Sequence, residues 1–242
     1  MKTEVLKDDI GTAAEIIRRG GLTAVPTETV YGLAANGLDE DAVRRLYEVK
    51  GRPAVKPLSL MVGGAEAFEK YGRDVPRSAY VLAEAFWPGP LTIVVKAASC
   101  VPSIVTAGGD TVGLRCPQQE QTQELLRRCA LPLAAPSANP SGAPSPKTAG
   151  EVVAYFDGKI DAVIDGGACG IGRESTIVDL TAAPYKILRA GALDEKAIRA
   201  ALMRSLRIVG VTGGSGTGKT TALDVLRDMG ALVIDADALY HG

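Results

Sequence analysis

Two short segments of the N-terminal half contain residue types that suit the binding of small anionic substrates. The first, residues 26–33, follows a short apolar run and offers hydroxyls, the carboxylate of Glu28 and an aromatic ring before it turns at a glycine. The second follows one predicted helix and places Lys50 and Arg52 beside Pro53. Lysine and arginine are the side chains that bind carboxylates and phosphates. Together the two segments predict a pocket that holds a small polar substrate against a phosphate-bearing one.

The composition excludes several kinds of catalysis. The 242-residue chain has a single histidine, His241, which is the penultimate residue. Ser-His-Asp and Cys-His machinery and histidine zinc sites are therefore excluded from the body of the chain, and we expect no protein-built metal site. The four cysteines lie far apart without a Cys-x-x-Cys pair, which predicts free thiols. The chemistry must depend on cations, hydroxyls, carboxylates and an activated substrate.

Charge and hydropathy patterns indicate the setting of the protein. The 27 lysines and arginines nearly balance the 28 aspartates and glutamates, so the net charge does not indicate nucleic-acid binding. No apolar run approaches the ~20 residues that span a bilayer, and the N-terminus lacks the apolar core of a signal peptide. We therefore expect a cytoplasmic protein without a membrane partner.

Apolar periodicity predicts an α/β fold for most of the chain. Segments with helical spacing and short apolar runs intermix without strict alternation, which is typical of a twisted mixed sheet with flanking helices. Helices are predicted to begin at Asp9 and Asp39, the second ending at Gly51. Further helices are predicted at 65–71, 76–86 and 120–129, and strands at 22–25, 58–62, 91–96, 111–114, 162–164, 176–180 and 185–188.

A change in composition after an alanine-rich helix predicts a domain boundary near Ser205, giving domains 1–205 and 206–242. The second domain contains a glycine run that fits G-x-x-x-x-G-K-[ST], between a predicted strand at 207–211 and a predicted helix at 221–229. This context is typical of a P-loop, whose backbone N–H groups surround a phosphate. The predicted phosphate-binding residues are Gly216, Gly218, Lys219 and Thr220.

The same region resembles the opening of dephospho-CoA kinase. A further predicted strand at 232–234 ends at Asp235 and Asp237, and by the resemblance one of these lies near the acceptor hydroxyl. A P-loop kinase needs several more strands, an acceptor pocket and a lid. We therefore expect an incomplete P-loop β-α-β unit rather than an active kinase.

The first domain resembles the YrdC-like family, the threonylcarbamoyl-AMP synthases. The resemblance is carried, in order and spacing, by residues 26–33, 50–58, 136–139 and 174–179, with Arg115 and Arg189 as two further matches. Members convert L-threonine, bicarbonate and ATP into threonylcarbamoyl-adenylate and pyrophosphate. The product serves threonylcarbamoyladenosine modification of tRNA, so tRNA and downstream transfer proteins are implied as partners, with Mg²⁺ accompanying ATP.

The resemblance also implies roles for individual residues. We predict that Lys50 and Arg52, in the cationic segment, are catalytic. The implied contacts to L-threonine are Thr27, Ser59, Arg115, Ala135 and Ser175. The implied contacts to ATP are Lys50, Ala54, Thr111, Ser137, Asn139, Ser145 and Arg189. Ala54 and Ala135 can act only through their backbone, because they have no polar side-chain atom.

This chemistry needs no histidine. The amine of threonine attacks CO₂ or bicarbonate, and an oxygen of the resulting carbamate attacks the α-phosphorus of ATP. The protein must mainly bring anionic reactants together, which fixed cations and positioning achieve.

Other readings of the same residues are structural. Lys50 and Arg52 could form a solvated helix C-terminus, and Ser137 with Asn139 could form a turn that satisfies its own backbone. Glu28 could be a loop charge or a general base.

For the whole chain, two other functions are possible interpretations of the sequence. One is a non-catalytic RNA-binding module of the same fold, and the other is a dephospho-CoA kinase fusion with an incomplete kinase part.

Overall fold

A computed structural model describes residues 2–205, 209–214, 216–229 and 231–234. The chain divides into two compact units, Met1–Ser205 and Leu206–Gly242. The assignment of these units to a synthase domain and a kinase fragment stays a prediction. In the described residues, no helix combines the length and the apolar character that crossing a membrane requires.

The first unit contains strands and helices in mixed order. The strands are β1 (Glu4–Leu6), β2 (Thr23–Val25), β3 (Gly32–Asn36), β4 (Ser59–Met61), β5 (Gly72–Arg73), β6 (Leu91–Ala97), β7 (Thr111–Arg115), β8 (Leu133–Ala134), β9 (Ala162–Ile164), β10 (Thr176–Asp179) and β11 (Lys186–Arg189). The helices are α1 (Ile10–Arg18), α2 (Glu40–Lys50), α3 (Ala67–Tyr71), α4 (Arg77–Phe86), α5 (Ser103–Thr106), α6 (Glu120–Cys129), α7 (Ala149–Phe156) and α8 (Glu195–Arg204).

The strands form one mixed sheet within the described residues. Their order is β1-β9-β2-β3-β8-β4-β7-β6-β10-β11, and β5 pairs with β6 beside this path. β9 is parallel to both β1 and β2, β4 is parallel to β7, and β6 is parallel to β10. The other pairs are antiparallel. The predicted α/β fold with a mixed sheet and flanking helices is confirmed.

Local capping signals fix the helices that the sequence predicted most directly. The side chain of Asp9 accepts from Thr12 N at the start of α1, and that of Asp39 accepts from two backbone N–H groups at the start of α2. Such caps satisfy N–H groups that have no partner inside the helix. Gly51 ends α2 in the left-handed conformation, with φ of 57°. This turn sets the direction of the chain immediately before Arg52.

Apolar layers of helices cover one face of the sheet and part of the other. On one face, α2, α4 and α7 pack with strand residues such as Leu60, Ile93 and Leu114 in the larger core. On the other face, α1 and α6 pack over β2, β3, β8 and β9, with Met61 at the margin of this smaller core. Successive side chains of a strand point to opposite faces. The second face of β7, β6 and β10 therefore lies beyond the part that α1 and α6 cover.

Several elements of the first unit were not predicted. β3 begins at Gly32, inside the segment predicted to be a loop, and β1, β5, α5 and α7 lie in segments without a prediction. The sequence of β3 is Gly-Leu-Ala-Ala-Asn, which lacks the β-branched residues that favour strands. It forms because it pairs with both β2 and β8.

The second unit differs from the predicted β-α-β arrangement. A helix, α9 (Lys219–Asp228), forms at the predicted place, but the described residues 209–214 and 231–234 form no strand. The side chains of Val209, Leu232 and Ile234 are exposed, and α9 has no buried residue. Isolated strands are unstable without sheet neighbours and an apolar layer to cover them. Residues 207 and 208, Asp235 and Asp237 lie outside the described residues.

Candidate active site

A cavity of about 270 Å³ lies on the sheet face beyond α1 and α6. Its floor is formed by strands that neighbour each other in the sheet, and register brings the side chains together. Met61 of β4 is opposite Arg115 of β7, and Thr92 of β6 is opposite Ile177 of β10. The adjacent residues on the same strands point into the larger core. The cavity therefore has a rigid floor with polar and apolar patches.

The structure brings seven predicted site residues together around this cavity: Arg52, Ser59, Arg115, Ala135, Ser137, Ser175 and Arg189. They come from strands and loops that are far apart in the chain. Six further predicted residues do not line it: Thr27, Lys50, Ala54, Thr111, Asn139 and Ser145. The cavity thus collects three guanidinium groups in one place.

Arg115 is the most deeply buried of the three guanidinium groups. Its Nη2 donates to Glu28 Oε1 and to Thr29 Oγ1, each at 2.8 Å, and its Nε donates to Gly89 O at 3.4 Å. The other carboxylate oxygen of Glu28 accepts from Gln118 N at 2.9 Å. Glu28 is therefore neither a free loop charge nor an unoccupied base. It holds Arg115 in place, while Nη1 of Arg115 makes no hydrogen bond within the described residues.

Arg189 belongs to a second, more exposed network. Its Nε donates to Ser175 O and its Nη2 to Ser175 Oγ, both at 2.9 Å, while Nη1 donates to Glu174 Oε2 at 2.5 Å. The hydroxyls of Ser175 and Thr92 lie 2.8 Å apart. Ser145 Oγ donates to the other carboxylate oxygen of Glu174 at 3.0 Å. Ser145 is therefore connected to the cavity through Glu174.

Arg52 supplies the third guanidinium. Its Nη2 donates to Pro57 O at 2.9 Å and its Nε to Lys56 O at 3.3 Å. Among the described residues, no carboxylate lies within salt-bridge distance of Arg52. A guanidinium has five N–H donors, so several remain for a ligand. Arg52 is therefore an uncompensated positive charge on the cavity wall.

Lys50 lies behind the wall rather than on it. Its side chain is buried, and Nζ donates to the carbonyl oxygens of Ser137 and Asn139, the second at 2.5 Å. Burial lowers the pKa of Lys50 to about 8, and the nearby charge of Arg52 acts in the same direction. Neither the solvated helix end nor direct contact with a triphosphate matches this placement. Lys50 instead holds the loop that carries Ser137.

The same loop is tied to β3 on its other side. Gly32 and Ser137 form an isolated bridge, and Ala138 N donates to Tyr31 O at 2.7 Å. Asn139 is buried and donates through Nδ2 to the carbonyls of Pro140 and Ala143, as expected of a turn. Asn139 therefore shapes the loop, whereas Ser137 lines the cavity.

Three further predicted residues do not line the cavity. The hydroxyl of buried Thr27 donates to Val30 O at 2.7 Å and accepts from Val30 N at 3.2 Å, so it is used inside its own loop. Thr111 is at the opposite end of β7 from Arg115, roughly 13 Å away along an extended strand. Ala54 is exposed on the loop after α2.

Sequence reasoning did not assign two polar residues of the cavity. Glu174 is inside the 174–179 segment that the resemblance used, but no role was given to it. Thr92 sits in β6 between Leu91 and Ile93, and the two residues that follow are also apolar. A lone hydroxyl in a buried strand was the available signal for Thr92. Both residues line the cavity.

The predicted P-loop residues belong to the second unit. Gly216 and Gly218 both have positive φ, and Lys219 and Thr220 begin α9. Nζ of Lys219 donates to Gly213 O at 2.6 Å and to Gly214 O at 2.7 Å. The lysine therefore bonds to its own loop, and phosphate binding here stays a prediction.

No cluster of three or more metal-binding side chains occurs in the part of the chain that the structure describes. Among those residues, Glu174 is the one carboxylate that lines the cavity. Mg²⁺ characteristically binds through substrate phosphates with one or two carboxylates and retained water. Both oxygens of Glu174 are already bonded, to Ser145 and to Arg189, so the cavity offers no free carboxylate for a protein-held Mg²⁺ and fits an ion that enters bound to the phosphates of a nucleotide.

Comparison with solved structures first gives the fold class. The structure of Pyrococcus abyssi Sua5, solved in complex with L-threonine, matches with a TM-score of 0.81 and 35% sequence identity. The match covers 98% of this chain and 82% of that chain. The first unit is therefore an α/β domain of the Sua5 and YrdC type.

The chain belongs to the Sua5_yciO_yrdC family, whose model, described as "Telomere recombination", matches residues 15–191. A second family model, described as dephospho-CoA kinase, matches residues 207–241. The two matches follow each other along the chain.

Curated relatives in this family are named threonylcarbamoyl-AMP synthase. The protein from Pyrococcus abyssi is 49% identical over 184 residues, covering 76% of this chain and 54% of its own length. The protein from Pseudomonas putida is 40% identical over 181 residues, covering 74% of this chain and 95% of its own length. The chain thus spans about half the length of the longer relatives and nearly all of a shorter one.

Proposed function

We propose that the first unit is an L-threonylcarbamoyladenylate synthase that uses L-threonine, bicarbonate and ATP. The observation that carries this proposal is the convergence of Arg52, Arg115 and Arg189 on one cavity. Three anionic reactants must meet in this reaction, and fixed cations offset their mutual repulsion. The relatives named threonylcarbamoyl-AMP synthase and the threonine complex of Sua5 support the same assignment.

Threonine is assigned to the floor of the cavity. The free Nη1 of Arg115 can bind the α-carboxylate, because Glu28 already holds the other side of the guanidinium. Ser59 and the paired hydroxyls of Ser175 and Thr92 can bind the threonine hydroxyl. Replacing threonine by valine would remove the hydroxyl that these groups bind, which disfavours the apolar analogue.

The nucleotide is assigned to the wall. Arg52, Ser137 and Arg189 supply the charges and the hydroxyl for its triphosphate, and Lys50 acts indirectly by positioning Ser137. Mg²⁺ that enters with ATP would supply further charge neutralisation at the phosphates. We do not assign Glu28 as the proton acceptor, because both of its oxygens accept hydrogen bonds.

The reaction balances without a protein nucleophile. The threonine amine and bicarbonate give a carbamate and water, and the carbamate oxygen then displaces pyrophosphate from the α-phosphorus of ATP. Positioning of the two reactants supplies much of the rate acceleration. In the cell the adenylate would be consumed by the proteins that modify tRNA in the cytoplasm.

One assay tests the proposal. Purified protein is incubated with ATP, Mg²⁺, labelled bicarbonate and L-threonine, and both pyrophosphate and labelled adenylate are measured. We expect pyrophosphate release that depends on threonine and falls by at least about 100-fold with L-valine. Release that is independent of the amino acid would contradict the proposal. Phosphorylation of added dephospho-CoA would instead favour a kinase, and RNA binding without turnover would favour a binding module.

A further inference from the structure

The two glutamates that pair with cavity arginines differ in their surroundings. The side chains of Glu28 and Arg115 are 11% and 9% exposed, and Glu28 does not line the cavity. The side chains of Glu174 and Arg189 are 35% and 39% exposed, and both line it. The first pair is therefore a buried part of the structure, whereas the second faces the space that a ligand would occupy.

The backbone at Glu174 is held in place by its neighbours. Its carbonyl accepts from Ala192 N at 2.8 Å, and a Cβ placed at Gly191 would lie 2.3 Å from the backbone of Ser175. This close approach fixes the backbone of residues 174 and 175. Among the described residues, Ser145 Oγ and Arg189 Nη1 are the partners of its carboxylate. Rotation about its own torsions would release Arg189 while the hydrogen bond with Ser145 is kept.

The location of Glu174 opposes ligand binding on simple electrostatic grounds. A carboxylate that lines a cavity for anions repels them, and it also occupies a donor of the guanidinium that would bind them. Glu28, by contrast, pairs with Arg115 outside the cavity lining and does not face a ligand. A carboxylate that faces the ligand instead lowers the affinity of the site for phosphate groups.

We propose that Glu174 competes with the phosphate groups of ATP and pyrophosphate for Arg189, and that it thereby speeds the release of pyrophosphate. The proposal rests on the synthase function assigned above. A polyphosphate that enters the cavity displaces the carboxylate from Nη1 of Arg189. After the adenylate forms, Glu174 returns to Arg189 as pyrophosphate leaves. No covalent step is involved, and the exchange replaces one anion on the guanidinium by another.

Isothermal titration calorimetry with pyrophosphate and with ATP, both in the presence of Mg²⁺, tests this role. Glu174→Gln keeps the shape and a hydrogen-bond acceptor for Ser145 but removes the charge. We expect the Kd of pyrophosphate to fall by at least about fivefold. This size allows for solvent screening of the Glu174–Arg189 pair, whose side chains are each more than a third exposed. Stopped-flow measurement should show that its dissociation rate constant falls with it.

The matched control is Glu124→Gln. Like Glu174, Glu124 of α6 is paired with arginine, in its case with both Arg127 and Arg128. It does not line the cavity. This variant changes the net charge equally and should leave the Kd of pyrophosphate unchanged. In an Arg189→Gln background, Glu174→Gln should tighten binding much less, because the donor for which it competes is absent.

The outcomes separate this inference from the proposed function. An unchanged or higher Kd in Glu174→Gln, with normal binding by the unaltered protein, would overturn the inference alone. Failure of the unaltered protein to bind either ATP or pyrophosphate would overturn the proposed function as well. If Glu174→Gln does not fold, Glu174→Ala takes its place, since it removes the carboxylate altogether. Binding by Glu174→Ala that is no tighter than normal would also overturn the inference.

Discussion

Lys50 shows that a cation in a segment predicted to form the site can lie behind the cavity wall. Its Nζ donates to two carbonyls of the loop that carries Ser137, 87 residues away in the chain from Lys50. A buried ammonium is costly because it loses hydration, and hydrogen bonds to carbonyls offset only part of that cost. Burial accordingly lowers the pKa of this lysine to about 8.

This pKa predicts a pH dependence of stability. The unfolded chain keeps the proton on Lys50 up to the ordinary lysine pKa of roughly 10.4, so it binds more protons than the folded chain above pH 8. The stability cost of the buried charge is present below pH 8 and is lost as the pH rises. Between pH 7 and 9.5, we expect the free energy of unfolding to rise by about 1–2 kcal/mol relative to Lys50→Met.

Urea denaturation of both proteins at the two pH values measures this difference. Lys50→Arg serves as a second reference, because arginine keeps its charge throughout this range. A difference between the unaltered protein and Lys50→Met that stays constant with pH would show that Lys50 does not titrate in this window.

At the scale of elements, the backbone of residues 174–175, just before β10, lies against a glycine in the segment after β11. A Cβ at Gly191 would lie 2.3 Å from Ser175 C and 2.4 Å from Glu174 O, closer than any real contact. Those atoms are backbone, so they cannot yield by a side-chain rotation. The approach places β11, with Arg189, against the start of β10, where Ser175 lies.

We expect Gly191→Ala to lower the free energy of unfolding by about 1–3 kcal/mol, the usual cost of overpacking. It should also lower kcat/KM, because the Arg189 and Ser175 side chains move apart. Denaturant unfolding and the pyrophosphate-release assay measure the two effects. The control is Gly170→Ala, where an added Cβ meets nothing within 4 Å. Equal stability of the two variants would contradict this account of Gly191.

The sequence was informative about elements wherever the cause is local. The caps of α1 and α2 and the glycine at the end of α2 are readable from neighbouring residues, and each formed as predicted. β3 was missed because its pairing with β2 and β8 involves distant segments. Family resemblance identified Arg115 and Arg189, but not their partners. The contact between Arg115 and Glu28 joins residues 87 positions apart, and only the folded sheet shows it.

At the scale of the whole molecule, the first unit carries its own apolar cores and the entire candidate site. Both cores consist of residues from the Met1–Ser205 unit. The described residues that line the cavity likewise belong to this unit. In the second unit, α9 has no buried residue. These features indicate that stability and the proposed synthase activity reside in the first unit.

Deleting residues 206–242 should therefore leave the unfolding midpoint and the threonine-dependent release of pyrophosphate unchanged. A domain with its own core folds independently of its neighbours. Thermal denaturation and the activity assay on the shortened and full-length proteins make the comparison. Loss of soluble protein or of activity on deletion would show that the second unit supports the first.

Because helices cover only part of one sheet face, the residues that would set ligand preference differ from those that stabilise the core. Leu60 and Ile93 stabilise the larger core, whereas their chain neighbours Ser59 and Thr92 project from the opposite side into the cavity. Selection can exchange the latter pair without disturbing the former, because neighbouring positions of a strand face different environments. A scaffold of this kind can acquire new specificities through a few substitutions at cavity positions while its fold is kept.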